Sequence, residues 1–297
     1  MNIIDGKKAA LDLRESLKKE IGELRTRYGD LPGLAVVQVG DVAASSVYVK
    51  AKTKAAKEVG IEVFDYHLNE NVTEEELLKL VDELNSDEKV NGILVQLPLP
   101  SHINEDKILE SILPEKDADG FHPLNIGKLS LSKYIDESLL IPCTPNGALI
   151  LLKNLKVTLA GKNALVVGRS NIVGKPMAQL LLKESCTVTI AHSKTINLKD
   201  LCKNADIVVA AIGKANFIKG DWIKEGAIVL DVGINRIEEN INGNIKKSLV
   251  GDVEFNEASK KASAITPVPG GIGPMTIACL LKNTSIAYKN KKIEILK

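Results

Sequence analysis

The segment GKNALVVGRSNIVGKP, residues 161–176, decides the class of fold to which this chain belongs. Its short apolar run, NALVV, predicts a buried strand, and a glycine-containing turn, Gly168-Arg169-Ser170, follows that strand. Gly174 then begins a segment with helical apolar periodicity, Met177 to Leu182. A strand, a glycine turn and a helix in this order bring bare backbone N–H groups and a helix N-terminus against a phosphate.

The turn has the spacing GxSxxxG instead of the usual dinucleotide fingerprint GxGxxG, so the pattern alone discriminates weakly. Arg169 strengthens it, because a guanidinium binds a phosphate through two parallel hydrogen bonds. The next predicted strand, Cys186–Ala191, ends in His192-Ser193-Lys194, where NAD sites normally have an acid for the ribose 2′-hydroxyl. A hydroxyl and a base there favour a 2′-phosphate, hence NADP. The alternative is an ordinary tight turn with a surface arginine.

Composition excludes several classes of protein. The 39 basic and 38 acidic residues nearly cancel and no tail is strongly basic, so we expect no nucleic-acid partner. The N-terminus has no apolar core of signal-peptide length, and no apolar run approaches the ~20 residues that span a bilayer. The four cysteines lack CxxC spacing and the four histidines lack ligand spacing, so we expect no metal site and a cytoplasmic protein.

Both halves of the chain alternate predicted helices and strands, which indicates parallel sheets covered by helices. In the first half we predict helices over 7–28, 43–59 (ended by Gly60) and 73–85 (opened by the capping-box sequence TEEE), and strands over 34–40, 61–68 and from 92 into the proline loop that ends at 100. In the second half we predict strands over 163–168, 187–191, 206–211 and 227–232, short segments over 249–255 and 263–266, and a closing amphipathic helix over 275–288.

Residues 113–145 interrupt this alternation, because glycine, proline and aspartate cluster there with little periodicity. A stretch of this length without clear elements is usually a functional loop or a linker. A predicted helix over Asn146–Asn154 then resumes the pattern and connects the two halves.

The segment SSVYVKAKTKAAKEVG, residues 45–60, contains the first candidate catalytic pair. Tyr48 and Lys52 are four residues apart, so on a helix they share one face. A lysine near a cation or an apolar surface loses its proton more readily and can act as a general acid or base. The alternative is a surface tyrosine packed on a lysine stem. Three further lysines, at 50, 54 and 57, lie on another face as solvated charges that can attract an anionic substrate.

Gln96 ends the predicted strand GILVQ, at the edge where open α/β sheets bind ligands, and its amide could hold a neutral lysine. The alternative is a polar strand end satisfied by its own loop. Asp117 and Asp119 could both be turn formers, or one could accept two parallel N–H bonds from a planar, amidine-like edge. The loop PVPGGIGPMT, residues 267–276, is rigid and poor in side chains, so it either approaches a flat ligand or simply joins a strand to a helix.

Together these segments are specific, because YVKAK, GILVQLPLP, DADGFHP, PCTPNG, GRSNIVGKP, HSKT and PVPGGIGPMT occur in this order. The chain resembles the bifunctional methylenetetrahydrofolate dehydrogenase/methenyltetrahydrofolate cyclohydrolase family from about residue 5 to 290. It departs only slightly: Ala118 and Ile272 stand where the family has valine. The rival interpretations are another NADP-dependent dehydrogenase of similar architecture, of the shikimate or amino-acid type, and a non-enzymatic NADP-binding regulator.

The resemblance implies a role for each candidate residue. Tyr48 would line the folate ring, Lys52 would catalyse the hydrolytic step, Gln96 would position Lys52, and Asp119 would bind the pterin. It implies three catalytic residues, Lys52, Tyr48 and Gln96. The substrate would be bound by Tyr48, Lys52, Gln96, Asp119, Pro269, Gly270 and Gly271. The cofactor NADP would be bound by Gly168, Arg169, Ser170, Ile172, Val173, Gly174, His192, Ser193, Ile234 and Thr276.

The resemblance also implies an organisation and a cellular role. We expect two α/β domains with a cleft between them: a folate-binding catalytic domain over 1–145, onto which the C-terminal helix 275–297 packs, and a Rossmann-like NADP-binding domain over 146–274. We further expect tetrahydrofolate derivatives as substrates, a homodimer, no nucleic acid or membrane partner, and a place in one-carbon metabolism and purine biosynthesis.

Overall fold

The computed structural model describes residues 2–41, 43–241 and 244–295, and the chain divides into two compact α/β units. The 144–276 unit consists of Thr144–Thr276 together with the residues up to Ala10. The 11–143 unit consists of Leu11–Cys143 together with the chain from Ile277 onward. The two α/β folds expected from the sequence are therefore present.

Helices and strands alternate through most of the chain, as the sequence predicts. The helices are α1 (Gly6–Tyr28), α2 (Ala43–Val59), α3 (Glu74–Ser86), α4 (Glu105–Ser111), α5 (Pro123–Leu131), α6 (Cys143–Asn154), α7 (Gly174–Lys183), α8 (Leu198–Asn204), α9 (Phe255–Lys261) and α10 (Ile272–Ile295). The strands are β1 (Asn2–Ile3), β2 (Gly33–Val39), β3 (Glu62–Leu68), β4 (Gly92–Val95), β5 (Asn163–Val167), β6 (Thr187–Ala191), β7 (Ile207–Ala210), β8 (Ile228–Asp231), β9 (Asn235–Ile241), β10 (Asn244–Val250) and β11 (Ala264–Ile265).

The 144–276 unit is built on a parallel sheet with the strand order β1-β11-β8-β7-β5-β6. Its central strands are buried, with Leu165, Val208 and Val229 at most 1% exposed. From β5 the chain moves first to β6 on one side and then to β7 on the other, so the order reverses between β5 and β7. Open α/β sheets bind ligands beyond the carboxyl ends of the strands at such a reversal.

The 11–143 unit contains a smaller parallel sheet with the order β3-β2-β4. Every residue of β2 is buried, as a strand covered on both faces must be. The order of this sheet reverses between β2 and β4, so the carboxyl end of β4 is again a place where ligand groups are expected. Helix α3 begins with the predicted capping box, in which Thr73 and Glu76 bond each other's backbone N–H groups.

The strands predicted in the second half agree with β5 to β8 to within one residue at each end. Helix α2 has its predicted bounds, and Gly60 follows it with φ +94°, a left-handed conformation that glycine adopts without strain. The N-terminus differs from expectation: residues up to Ala10 belong to the 144–276 unit and not to the 11–143 unit, because β1 pairs in parallel with β11.

Two further sequence predictions are wrong. Residues 113–145 contain α5 and the start of α6, and α5 escapes a search for periodicity because it is short and begins at Pro123, capped by the His122 side chain. The closing helix is not amphipathic: α10 begins at Ile272, and from Ala278 to Tyr288 every residue except Lys282 is buried. It is a core helix, and its polar residues Asn283, Thr284 and Ser285 are hydrogen-bonded inside the protein.

Candidate active site

Lys52 is a buried lysine on α2, with only 5% of its surface exposed. Its neighbours Lys50 and Lys54 are exposed on the other face of the helix. Tyr48, one turn earlier, is half-buried, and burial raises the pKa of its phenol. The shared face predicted from the spacing of Tyr48 and Lys52 therefore faces the protein interior, which does not fit a surface tyrosine packed on a lysine stem.

Gln96 follows directly after β4 and bonds Lys52. The ammonium Nζ of Lys52 donates to the Gln96 Oε1 across 3.0 Å. The Gln96 Nε2 donates to the carbonyl of Leu97 at 2.7 Å, and the Gln96 backbone N–H donates to the carbonyl of Val37 on β2 at 2.8 Å. The backbone of Gln96 and its side-chain nitrogen are therefore both held, and the side-chain oxygen is the atom that faces Lys52.

The two aspartates of the DADG segment have different surroundings. Asp117 is buried and accepts hydrogen bonds from the Gly120 N–H at 3.0 Å, the His122 N–H at 2.8 Å and the Asn125 Nδ2 at 2.9 Å, so it is the turn former. Asp119 is partly exposed, and within the described residues no donor bonds its carboxylate.

Asp119 is nevertheless electrostatically coupled to the lysine. Burial raises the pKa of Asp119 to about 6, while the positive charge of Lys52 opposes the rise and Asp117 adds to it. Lys52 is thus joined to Gln96 by a hydrogen bond and to Asp119 by charge, and we call these three residues the lysine cluster.

The 144–276 unit contains the predicted phosphate-binding turn between β5 and α7. Gly168 has φ +132°, and a Cβ added there would lie 2.2 Å from the Ala211 carbonyl oxygen. A Cβ on Gly174 would lie 2.2 Å from the Gly168 carbonyl oxygen. Both positions therefore require glycine, because the turn packs backbone against backbone at the reversal between β5 and β7.

This turn fits a dinucleotide phosphate. Within the part of the chain that the structure describes, the backbone N–H groups of residues 169–172 have no protein acceptor, and these four residues are exposed. The Ser170 Oγ accepts the next two N–H groups, those of Val173 at 3.1 Å and Gly174 at 3.3 Å, at the start of α7. Successive free N–H groups beside a helix N-terminus are the donor set that binds a phosphate.

The groups predicted to choose between NADP and NAD follow adjacent strands. The Gly168 N–H donates to the carbonyl of Ala191, the last residue of β6, at 2.9 Å. Arg169 directly follows Gly168, and Ser193 lies two positions after Ala191. Both side chains are exposed. His192 and Lys194, on either side of Ser193, form a turn in which the His192 Nδ1 accepts the Lys194 N–H at 3.2 Å. Arg169 and Ser193 therefore lie on neighbouring loops at one edge of the sheet.

The remaining predicted residues also belong to the 144–276 unit. Ile234 is half-exposed in the turn after β8. Thr276 lies in the second turn of α10, because this helix begins earlier than predicted, and its hydroxyl bonds that of Thr144 at 3.0 Å. The Pro269-Gly270-Gly271 loop precedes α10, and Gly270 has φ +107°.

Two buried carboxylates in the same unit were not predicted from the sequence: Asp231 at the end of β8 and Asp252 just after β10. Burial raises the pKa of Asp231 to about 7. The only sequence signal is an acid that directly follows an apolar run, in IVLD and in LVGD. Such an acid must find hydrogen-bond donors when it is buried.

Residues 2–41, 43–241 and 244–295 contain no helix that is both long and apolar enough to span a bilayer. In the same ranges no three His, Cys, Asp or Glu side chains are grouped so that they could hold a metal ion.

Known families match both units. Residues 4–119 match the family model "Tetrahydrofolate dehydrogenase/cyclohydrolase, catalytic domain", and residues 142–292 match "Tetrahydrofolate dehydrogenase/cyclohydrolase, NAD(P)-binding domain". The chain is 53% identical to the bifunctional protein FolD of Pelagibacter ubique over 98% of this chain and 100% of that protein.

Solved structures agree with this. The FolD methylenetetrahydrofolate dehydrogenase/cyclohydrolase of Campylobacter jejuni is similar with a TM-score of 0.91 and 51% identity, over 98% of this chain and 99% of that one. The Trypanosoma brucei enzyme, complexed with NADP cofactor and inhibitor, is similar with a TM-score of 0.92 and 41% identity, over 98% of both chains. The resemblance inferred from seven short motifs is confirmed over 98% of the chain, which belongs to the tetrahydrofolate dehydrogenase/cyclohydrolase family.

Proposed function

We propose that this protein oxidises 5,10-methylenetetrahydrofolate to 5,10-methenyltetrahydrofolate with NADP and then hydrolyses the product to 10-formyltetrahydrofolate. The observation that carries the proposal is the hydrogen bond from the buried Lys52, whose charge also acts on the carboxylate of Asp119, to the half-buried Gln96. A protein that only bound NADP would need the turn at Gly168 but would have no use for this cluster.

Asp119 is the proposed anchor of the substrate. A pterin ring presents a ring N–H and an amino group side by side, and an ionised carboxylate accepts both through its two oxygens. The Asp119 carboxylate suits this role because no donor among the described residues bonds it and because the residue is only partly exposed to solvent. Tyr48, half-buried on the same face as Lys52, would line the ring.

The dehydrogenase step needs little from the protein beyond position. The nicotinamide of bound NADP supplies a hydride acceptor. Loss of hydride from the methylene carbon leaves a delocalised methenyl cation, and no proton is transferred in that step. The task of the chain is therefore to hold the substrate in one orientation and to tolerate the cation.

The cyclohydrolase step needs proton transfer, and Lys52 is the proposed group. Water adds to the methenyl carbon and gives up one proton. The bond from this carbon to one folate nitrogen then breaks, the hydroxyl gives up a second proton to become the formyl oxygen, and the nitrogen takes up one proton. The net reaction consumes one water and releases one proton. Gln96 holds the Lys52 nitrogen in place for these transfers, because its own amide is held by Leu97.

We propose NADP rather than NAD as the cofactor because Arg169 and Ser193 are exposed where an acid would otherwise accept the ribose 2′-hydroxyl. The described N–H groups of the turn would hold the pyrophosphate, and the glycines at 168 and 174 would let it approach the backbone.

The proposal extends to the setting of the enzyme: a cytoplasmic homodimer that supplies formyl groups for purine biosynthesis. Family membership supports this setting, and the four cysteines are all buried and free, which suits a reducing compartment.

The test is an absorbance assay of the purified protein with methylenetetrahydrofolate, following the appearance of the methenyl chromophore with NADP and, separately, with NAD. We expect methenyl formation that prefers NADP, and decay of added methenyl substrate faster than its spontaneous hydrolysis. Absence of both reactions would refute the proposed function, and a preference for NAD would refute the choice of cofactor.

A further inference from the structure

Asp252 is a fully buried carboxylate that accepts four hydrogen bonds. Its Oδ2 accepts the backbone N–H of Ile212 at 2.6 Å and that of Gly213 at 2.9 Å. Its Oδ1 accepts the backbone N–H of Lys214 and the side-chain Nδ2 of Asn235, both at 2.9 Å. A single side chain after β10 therefore holds two loops: residues 212–214, and the turn between β8 and β9, which ends where Asn235 begins β9.

Both loops lie at the carboxyl edge of the parallel sheet. Residues 212–214 follow β7, and Asn235 follows the turn after β8. The first of these loops stands at the reversal between β5 and β7, where a ligand of an open α/β sheet is expected. Ala211, directly before it, touches the dinucleotide turn, since a Cβ on Gly168 would lie 2.2 Å from its carbonyl oxygen.

The arrangement of the N–H groups explains why the side chain is an acid. Three successive N–H groups converge on one point because Gly213 adopts a left-handed conformation, with φ +68°. Such a concave row of N–H groups favours a negative charge. An asparagine would offer a single acceptor oxygen, and its NH₂ group would face N–H donors from which it cannot accept a hydrogen bond.

A second carboxylate holds Asp252 itself. Asp231 accepts the backbone N–H groups of Asp252 at 2.9 Å, Val253 at 2.8 Å and Gly233 at 3.0 Å. There is no room for adjustment around the pair: a Cβ on Gly233 would lie 2.1 Å from the Asp252 Oδ1, and one on Gly251 would lie 1.9 Å from the Asp231 Oδ2. The position of the Asp252 carboxylate is therefore set by packing as well as by hydrogen bonds.

We infer that Asp252 is a positioning residue for NADP, which fixes the loops at 212–214 and 235 in the shape that the cofactor needs without touching it. The inference rests on the proposed function, because it takes the edge at Gly168 to be the dinucleotide site. Asp231 acts one step further away, by fixing the backbone that carries Asp252.

The test compares Asp252→Asn with wild type and with Asp221→Asn, a control in the same unit whose side chain is 60% exposed and pairs with Lys199. Three quantities are measured: the Kd for NADP, the KM for NADP in the dehydrogenase reaction, and hydrolysis of methenyl substrate without any cofactor. We expect Asp252→Asn to raise the Kd and KM for NADP about tenfold or more, since buried donors lose their acceptor. Cofactor-free hydrolysis should stay within about twofold of wild type.

Each outcome decides the inference. An unchanged NADP affinity in folded Asp252→Asn overturns it, and so does an equal loss of hydrolysis and NADP binding with a lower Tm, which indicates a purely structural role. If Asp252→Asn does not fold, Asn235→Ala, which removes one of the four donors, must weaken NADP binding and spare hydrolysis. A wild-type protein that binds no dinucleotide would instead overturn the proposed function.

Discussion

The Lys52 ammonium on α2 donates a hydrogen bond of 3.0 Å to the Gln96 Oε1 at the end of β4, across 44 positions of sequence. The amide oxygen is aimed at the lysine because the amide nitrogen is held by the carbonyl of Leu97. A buried lysine that is held by a neutral partner, and not by a carboxylate in direct contact, keeps its nitrogen available for proton transfer. This pair is therefore the centre of the candidate hydrolytic site.

Replacing Lys52 by methionine should abolish most of the cyclohydrolase activity and leave NADP binding intact. Methionine keeps an apolar chain of similar length in the buried position but has no group that transfers a proton. General acid–base catalysis contributes about 10²- to 10⁴-fold, so we expect a loss of at least a hundredfold in kcat. The measurement is the rate of methenyl hydrolysis, corrected for the spontaneous reaction.

The matched control for this variant is Lys50→Met, which removes an exposed lysine from the same helix. It should leave hydrolysis nearly unchanged, because its charge is solvated. Wild-type hydrolysis in Lys52→Met would show that the proton is transferred by another group.

Replacing Asp119 by alanine should impair both activities, because both reactions use the same pterin-binding site. The variant removes a charge-assisted contact worth roughly 2–3 kcal/mol, which corresponds to about 30- to 150-fold in folate affinity. Asp82→Ala, at an exposed position of α3, is the control and should bind folate normally. Direct titration with folate provides the measurement; equal affinities in the two variants would remove Asp119 from the site.

The ionisation of Asp119 should make the apoprotein less stable as the pH rises. Its folded pKa of about 6 lies above the ordinary value of 3.8, so the unfolded chain releases the proton first. The stability that Asp119 contributes is therefore complete below 3.8 and is lost as the pH rises through 6. Asp119→Asn, which stays neutral, should exceed wild type at pH 7.5 by on the order of 1–2 kcal/mol, and should match it near pH 4.

Chemical denaturation of both proteins at the two pH values measures this difference. The same variant should bind folate poorly at pH 7.5, since an amide has a single acceptor oxygen for two N–H groups. A variant that is less stable than wild type at pH 7.5 would mean that burial does not oppose the charge of Asp119.

Local patterns predict much of the fold and where some candidate site residues lie. The spacing of Tyr48 and Lys52 predicts the helix face that they share, and the apolar run before Gln96 predicts a strand, which the structure ends one residue earlier, at Val95. Such placements follow from the periodicity of a single helix or strand. The two aspartates of DADG were not separable by pattern, since what distinguishes them is that Asn125 and two backbone N–H groups reach only Asp117.

Features that depend on distant segments were not predictable. Asp252 is held by residues about forty positions away, and no local pattern records that three N–H groups converge on it. Helix α10 reads as amphipathic because Asn283 and Ser285 are polar, yet Ser285 is buried against Glu20 of α1. In both cases the polar residue is surrounded by segments that are distant in sequence, so its hydrogen-bond partners could not be inferred from its sequence neighbours.

The preference for NADP over NAD should depend on Arg169. Arg169 and Ser193 are exposed on the loops after β5 and β6, which the hydrogen bond from Gly168 to Ala191 joins at 2.9 Å. Only NADP carries the 2′-phosphate that the guanidinium would meet, so Arg169→Ala should weaken NADP by about 2–3 kcal/mol and leave NAD almost unaffected.

Arg169→Ala should therefore lower the ratio of kcat/KM for NADP to that for NAD, and the effect should shrink at high salt because Arg169 is exposed. Lys162→Ala removes an exposed cation from the opposite, amino end of β5 and is the matched control. Long-range attraction of NADP by net positive charge would lower the ratio to a similar extent in both variants, whereas a direct phosphate contact lowers it only in Arg169→Ala. An equal loss for NADP and NAD in Arg169→Ala would instead assign the arginine to the pyrophosphate that both cofactors share, and the preference for NADP would then have to come from Ser193 or its neighbours.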